Sequence, residues 1–256
     1  SGNPVGLIFV VRDITERKKI ERMKSDFVFL VSHQLKTPVA EVKAYIENML
    51  EGLTGDLTTK QEQYLQEMRD ICSRNYRLIS DLLDMSRIER GVVSLDIQPV
   101  ELRVVVDSAL RDRRKSIEEK GLALNLEEAD KRVSVLADKG KMVEALSNVI
   151  DNAVKFTDKG LIAIEIKREG EYGIVEVRDT GKGMSDDVLK NLFTVVGDLS
   201  GAPTSGDGAG LGLYIAKSLM KLQKGDITAT SVVGKGSIFV LKIPILKLEN
   251  MGGKNI

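Results

Sequence analysis

Tyr64, Met68, Ile71, Asn75, Leu78, Leu82 and Met85 follow one another at steps that alternate four and three. That alternation is the seam of a coiled coil or a four-helix bundle, because it holds one stripe of a helix against a partner. Residues 59 to about 90 therefore read as one long helix. A second helical pattern precedes it: between Glu16 and Leu50, apolar residues fall at Ile20, Met23, Phe27, Leu30, Val31, Leu35, Val42, Tyr45, Ile46 and Met49. "EGLTGDLT" breaks the pattern with two glycines. Thr58 or Thr59 then offers an N-cap, with Glu62 near the reciprocal capping position. Two helices alone cannot bury the seam together with its flanking apolar positions, Leu65, Cys72, Ile79 and Leu83. A second copy completing a four-helix bundle is the economical answer, with Asn75 helping to fix register. The alternative is a long hairpin packed on the rest of the same chain.

A length of 256 residues suits about two domains. Lys+Arg and Asp+Glu both number 38, so no net charge draws the chain to nucleic acid or anionic lipid, and nucleic-acid binding is set aside. A single cysteine, Cys72, precludes an internal disulfide and fits a reducing, cytoplasmic setting. No apolar run approaches the roughly 18–20 residues that cross a bilayer, so no direct membrane contact is expected of this stretch. The opening "GLIFVVRDIT" is strand-like yet has nothing upstream to pair with, as if cut from a longer, membrane-anchored parent.

Beyond Gly91 the texture becomes mixed. "VVSLDIQPV" reads as a strand, Glu101 to Lys120 as a helix, and "LALNLEE" and "VSVLA" as strands. Asp138 N-caps a helix running to about Phe156. "LIAIEIKRE" and "GIVEVRD" alternate as strands joined by "GEY"; a helix from about Gly210 to Gln223 and the strands "GDITATSVV" and "GSIFVLKIPI" follow. Grouped strands with few helices between them predict an α+β two-layer sandwich, helices on one face of a mixed sheet.

Three stretches of this second region carry chemistry. In "EALSNVIDNAVKFTDKG", Asn148, Asn152 and Lys155 share a helix face, two carbonyl oxygens and an ammonium that suit Mg²⁺ and phosphate. In "VRDTGKGM", Asp179 ends an alternating strand and can accept from an exocyclic amine, while Gly181 and Gly183 let a ring approach the backbone. A plain Asp-Thr-Gly turn is the other reading of that stretch. In "GDGAGLGLYIAK", glycines run straight into an apolar-periodic helix, baring backbone amides at a helix N-terminus as an anion site. The spacing matches neither the dinucleotide nor the Walker phosphate loop. The preceding "VVGDLSGAPTSGDG" has the composition of a mobile lid.

In order and spacing, together with "GKGS" at 234–237, these stretches resemble the ATP-binding domain shared by sensor histidine kinases, Hsp90, MutL and type II topoisomerases. The resemblance implies ATP and Mg²⁺ as ligands. It places Asn148 and Asn152 in an asparagine box, with Asn152 ligating Mg²⁺, Lys155 meeting phosphate and Asp179 meeting the adenine amine. Gly206, Gly208, Gly210, Leu211 and Gly212 would form the lid hinge and triphosphate site. The family's ATP-hydrolysing members have a Glu where this chain has Asn148. An amide cannot take a proton from water, so the domain reads as one that spares ATP for another acceptor.

"SHQLKTP", around His33, the chain's only histidine, resembles the phosphoacceptor box of the dimerising histidine-kinase domain. "DIT" at 13–15 resembles the end of a PAS sensor domain. The resemblance divides the chain into a sensor remnant (1–15), a dimerisation and phosphotransfer domain (16–91), a catalytic ATP-binding domain (92–248) and a flexible tail (249–256). It implies a homodimer that autophosphorylates His33 and passes the phosphoryl group to an aspartate in the receiver domain of a response regulator. Thr37, one turn after His33, matches the position that supports dephosphorylation of that aspartate by orienting a water. Pro38 predicts a bend after the histidine, because its ring clashes with the Gln34 carbonyl. Two positions depart from the family. Gln34 replaces the usual acidic residue and can orient the imidazole without accepting its proton. Phe193 is the single aromatic of "NLFTVVGD". Gln34 also marks the competing reading, a degenerate ATP-binding scaffold with weak autokinase activity. An ATP-driven clamp of the Hsp90 or MutL type is disfavoured by Asn148 and by the helical hairpin.

Overall fold

The computed structural model describes residues 13, 15–130, 132–194 and 211–245. The expected sensor remnant, apart from Asp13 and Thr15, and the expected tail lie outside them. The chain divides into two units, Ser1–Val92 and Val93–Ile256.

In the first unit, helices α1 (Thr15–Leu50) and α2 (Thr59–Glu89) pack antiparallel. Each stop is set by glycine. Gly52 and Gly91 adopt φ of 78° and 65°, and the amides of Leu53 and Val92 reach back to the carbonyls of Asn48 and Arg87. These are Schellman closures, which a residue with a Cβ resists. At the start of α2, the Gln61 N–H donates to Thr58 Oγ1 (3.4 Å) and the Thr58 N–H to Gln61 Oε1 (2.9 Å). The reciprocal partner is thus Gln61, three residues after the cap, and not Glu62. Pro38, where a bend was expected, lies inside α1, which runs on past it as one helix.

The hairpin sorts its apolar residues into two stripes. Ile46, Ile79 and Leu83 are 3%, 9% and 3% exposed and form the contact between the helices. Tyr64, Met68 and Ile71, on the heptad seam, stay 54%, 48% and 53% exposed, as does Phe27 at 67%. Near the far end, Ser86 Oγ donates to the Ser25 carbonyl (2.8 Å), a buried polar tie between the helices.

The second unit begins with β1 (Gln98–Glu101), α3 (Leu102–Leu110), α4 (Arg114–Glu119), β2 (Ala123–Glu128) and β3 (Ser134–Ala137). It continues with α5 (Lys139–Phe156), β4 (Leu161–Glu169), β5 (Tyr172–Asp179), α6 (Asp186–Asn191), α7 (Leu211–Leu222), β6 (Asp226–Val232) and β7 (Gly236–Pro244). The main sheet runs β2-β4-β5-β7-β6, with β2 and β4 parallel and the other pairs antiparallel; β1 and β3 pair separately. Ile162, Ile164, Val175, Val177, Phe239 and Leu241 line one face of the sheet and close on Leu146, Ile150 and Ala216 of the helices. The α+β two-layer sandwich over a mixed sheet is as expected.

Two boundaries differ from the sequence pattern. Of "VVSLDIQPV" only Gln98, Pro99 and Val100 find ladder partners, while the Asp96 N–H is taken by the Asp138 carboxylate at 2.9 Å. The expected helix 101–120 splits at residues 111–113. Between the buried Leu110 and Ile117 the chain carries Arg111, Asp112, Arg113 and Arg114, and a continued helix would place Arg113 on the core face. Instead Arg113 turns outward into a two-pronged bond with Asp151, 2.7 and 2.8 Å.

Candidate active site

The site in the second unit is built on α5. Asp138 caps it, accepting the Lys141 N–H at 3.0 Å. Burial alone would raise the Asp138 carboxyl, but the N–H groups of Asp96, Lys141 and Gly140 outweigh it and hold the carboxyl below its ordinary value. From that start, the 3.6-residue period turns Leu146, Val149, Ile150 and Ala153 into the core and leaves Asn148, Asn152 and Lys155 half-buried at its edge. The Asn152 amide nitrogen donates to the Asn148 carbonyl at 2.9 Å. The amide oxygen is therefore the end of that side chain suited to a cation.

Asp179 is where the β-sheet period delivers a carboxylate to the helix-facing side. Val175, Val177 and Asp179 alternate onto that face, and Asp179 is only 5% exposed. Burial pushes its carboxyl above the ordinary value, partly offset by the N–H of Gly181 and by Ser237. Both backbone donors, Gly181 N (2.9 Å) and Ser237 N (3.2 Å), fall on Oδ1. Oδ2 is the end left for a ligand.

The glycines around Asp179 are there for the chain's own backbone. A Cβ on Gly181 would lie 2.3 Å from the Phe156 carbonyl oxygen, and one on Gly183 would lie 2.1 Å from that of Val232. Close loop packing thus demands glycine at both positions, beside the expected role of admitting a ring to the backbone. Gly236 presses on the Asp179 carbonyl in the same way, at 2.0 Å for an added Cβ. Gly212, in the first turn of α7, faces the Asn148 side chain, where a Cβ would meet Oδ1 at 3.1 Å. That close approach joins the asparagine face of α5 to the N-terminus of α7 beside Leu211. Gly206, Gly208, Gly210 and the whole of the expected lid, 195–208, lie outside the described residues.

Sequence reasoning missed several partners. Phe156, 36% exposed, has Lys155 and Lys182 over its ring at 5.1 and 4.6 Å, although it stands in the same motif as Lys155. Ser237 becomes visible only once β7 is known to pair with β5. Lys217 lies 4.9 Å from the ring of the half-buried Phe193 and pairs with Asp226 at 2.8 Å.

In the first unit His33, Gln34 and Thr37 are exposed on α1. His33 and Thr37 line one shallow hollow with Lys36 and Tyr76, and Gln34 does not. Phe29 approaches the imidazole from the other side, ring centroids 6.3 Å apart. No helix among the described residues is long and apolar enough to cross a membrane.

The described residues thus hold a helical hairpin presenting one histidine and a sandwich with a buried carboxylate and an asparagine-lined helix. Comparison with known proteins agrees. Residues 23–91 match the His Kinase A (phospho-acceptor) domain, and residues 137–247 match the histidine kinase-, DNA gyrase B- and HSP90-like ATPase family. The Staphylococcus aureus sensor protein SrrB is 31% identical over 245 residues, which is 95% of this chain and 42% of that protein. The chain thus spans less than half the length of these curated relatives. Full-length ShkA, solved in complex with AMPPNP, superposes with a TM-score of 0.70 at 26% identity, covering 90% of this chain and 49% of that one. The Acinetobacter baumannii histidine kinase AdeS shares the fold, with a TM-score of 0.59 at 21% identity over 84% of this chain and 98% of that one. The chain belongs to the sensor histidine kinases, with the phospho-acceptor domain followed by the ATPase-family domain.

Proposed function

We propose that residues 92–248 bind ATP with Mg²⁺, that the γ-phosphoryl group passes to His33 on the 16–91 hairpin, and that an aspartate in a response-regulator receiver domain then takes it. Asp179 carries this reading. A carboxylate 5% exposed, with both backbone donors on one oxygen and no cation paired to it among the described residues, is costly to keep. An exocyclic amine on Oδ2 repays that cost and selects adenine. Phe156, linked to the same loop through its carbonyl, offers a ring face beside it.

Mg²⁺ fits this donor set. No group of three or more His, Cys, Asp or Glu among the described residues could cage a metal, and Mg²⁺ typically takes one or two protein ligands plus substrate phosphates. The Asn152 amide oxygen would hold it. When bound, the ion supplies charge neutralisation on the phosphate oxygens. Lys155 and the first-turn amides of α7 at Leu211 and Gly212 add positive potential for the same oxygens. With Asn148 in place of a carboxylate, no base stands there to activate water.

At His33, one ring nitrogen forms the P–N bond as the bond from γ-phosphorus to ADP breaks, and the other nitrogen sheds its proton. Gln34 can accept a hydrogen bond from that nitrogen but not its proton. Thr37 orients a water for the reverse task, hydrolysis of the partner's aspartyl phosphate. The exposed seam of Tyr64, Met68 and Ile71 is the surface for a second copy, giving a homodimer. Incubation with γ-labelled ATP, followed by addition of a receiver domain, tests the whole sequence. Acid-labile, base-stable label that moves to the receiver is expected; release of inorganic phosphate without labelled protein contradicts it and favours the scaffold reading.

A further inference from the structure

The hollow beside His33 holds a cation that the phosphorylation scheme has not used. Lys36 and Thr37 lie three and four residues after His33, so all three project from one side of α1. Ala40 and Ala44 keep that side low, leaving a hollow of about 450 Å³ walled by Tyr76 of α2. The Lys36 ammonium is half-buried there and sits 5.1 Å from the Tyr76 ring centroid. Among the described residues it has no carboxylate within ion-pair distance, whereas Lys43, two turns on, is paired with Glu47 at 3.5 Å. Glu41, one turn beyond Thr37, puts the hollow's negative charge at its far end.

An ammonium held by an aromatic face keeps its charge available, because the ring orients it without neutralising it. The anion that arrives in this hollow is the phosphoryl group on His33, which brings nearly two negative charges. We propose that Lys36, parked on Tyr76, is the charge partner of phosphohistidine 33 and lengthens its life. Tyr76 is a positioning residue that acts through Lys36. The inference rests on His33 as the phosphoacceptor and adds what retains the group there.

The direction of the effect follows from the chemistry of loss. In hydrolysis, water forms a bond to phosphorus as the P–N bond breaks, and the imidazole leaves with the electron pair and takes up a proton. The transition state is loose, so charge drains from the non-bridging oxygens on the way to it. A cation on those oxygens therefore stabilises the phosphorylated ground state more than the transition state and slows the loss.

Because the chain has one histidine, potassium phosphoramidate can load His33 in the whole chain without ATP. After desalting and chelation of metal, decay of the phosphohistidine ³¹P resonance gives the half-life. Lys36→Gln should shorten it about two- to fivefold, the range of one partly exposed charge contact. Lys36→Arg should restore it. Tyr76→Leu should shorten it and Tyr76→Phe, which keeps the ring face, should not. Added salt should shorten the parent's half-life and leave that of Lys36→Gln unmoved. Equal half-lives for the parent and Lys36→Gln overturn the proposal, and equal losses for Tyr76→Phe and Tyr76→Leu overturn the role of the ring. Failure of ATP labelling contradicts the kinase reading alone, since chemical loading still reads the lifetime.

Discussion

Replacing Asp179 by Asn separates the stability of the nucleotide site from its function. The amide oxygen can still take the N–H groups of Gly181 and Ser237, now made to Oδ1 at 2.9 and 3.2 Å, so the loop keeps its shape. The NH₂ group then occupies the place of Oδ2, donor against the donor of an adenine amine. Losing a hydrogen bond to a charged group costs about 1.5–3 kcal/mol, which predicts ATP binding weaker by roughly 10- to 150-fold. GTP presents an oxygen at that position, so its affinity should hold or rise. The nucleotide-free protein should melt no lower than the parent, and higher wherever the Asp179 carboxyl is ionised, because a buried charge is gone. The pH dependence has a definite sign. Burial raises the folded carboxyl above 3.8, so the native state takes up this proton before the unfolded chain does. The parent's deficit against Asp179→Asn is full above the folded value, shrinks as pH falls through it, and is gone below the unfolded value near 3.8. Calorimetric titration with ATP and GTP, beside thermal melts across pH, reads all of this. A variant that binds ATP as tightly as the parent, or loses ATP and GTP equally, refutes the assignment of Asp179.

Further outcomes follow from the same packing. Asp138→Ala removes the α5 cap and should cost about 0.5–2 kcal/mol in denaturant titrations. Since the Asp138 carboxyl is held low in the folded state, that contribution is present above about pH 4 and fades as pH falls through the folded value. Gly236→Ala drives a Cβ to 2.0 Å from the Asp179 carbonyl at a φ of 101°, and should lower the melting temperature by the equivalent of at least about 1–3 kcal/mol. Ile71→Glu, on the exposed seam, should turn a dimer into a helical monomer by light scattering and circular dichroism; a variant that stays dimeric contradicts the proposed interface. Gln34→Glu should raise the autophosphorylation rate with unchanged ATP affinity, general-base help being worth up to about 10²–10⁴-fold; an unchanged rate means the proton leaves by another route.

Period and punctuation carried most of the fold into the sequence. The heptad seam, the glycines at 52 and 91, and the Asp138 cap mark the hairpin and α5 because each acts within a turn or two of itself. The limits lay where a partner far along the chain decides. Helix 101–120 breaks because Arg113 finds Asp151, and the strand before Val100 stays short because β3 pairs with four residues only. At the candidate site, period sets Asn148 and Asn152 on one face of α5 and Asp179 at the end of β5, while the roles expected of them came from the family resemblance. Gly236 and Ser237 stand in "GKGS", but their contact with Asp179 comes through strand pairing, and Tyr76 reaches Lys36 across the hairpin, so no local pattern announces either contact.

The central claim is that the ATP site exists to modify His33. It is tested most directly by comparing the parent with His33→Gln for label taken from γ-labelled ATP, with ATP binding measured on both. The account predicts acid-labile label on the parent, none on His33→Gln, and equal ATP affinity for the two. Label that persists in His33→Gln would place the acceptor elsewhere and contradict the account.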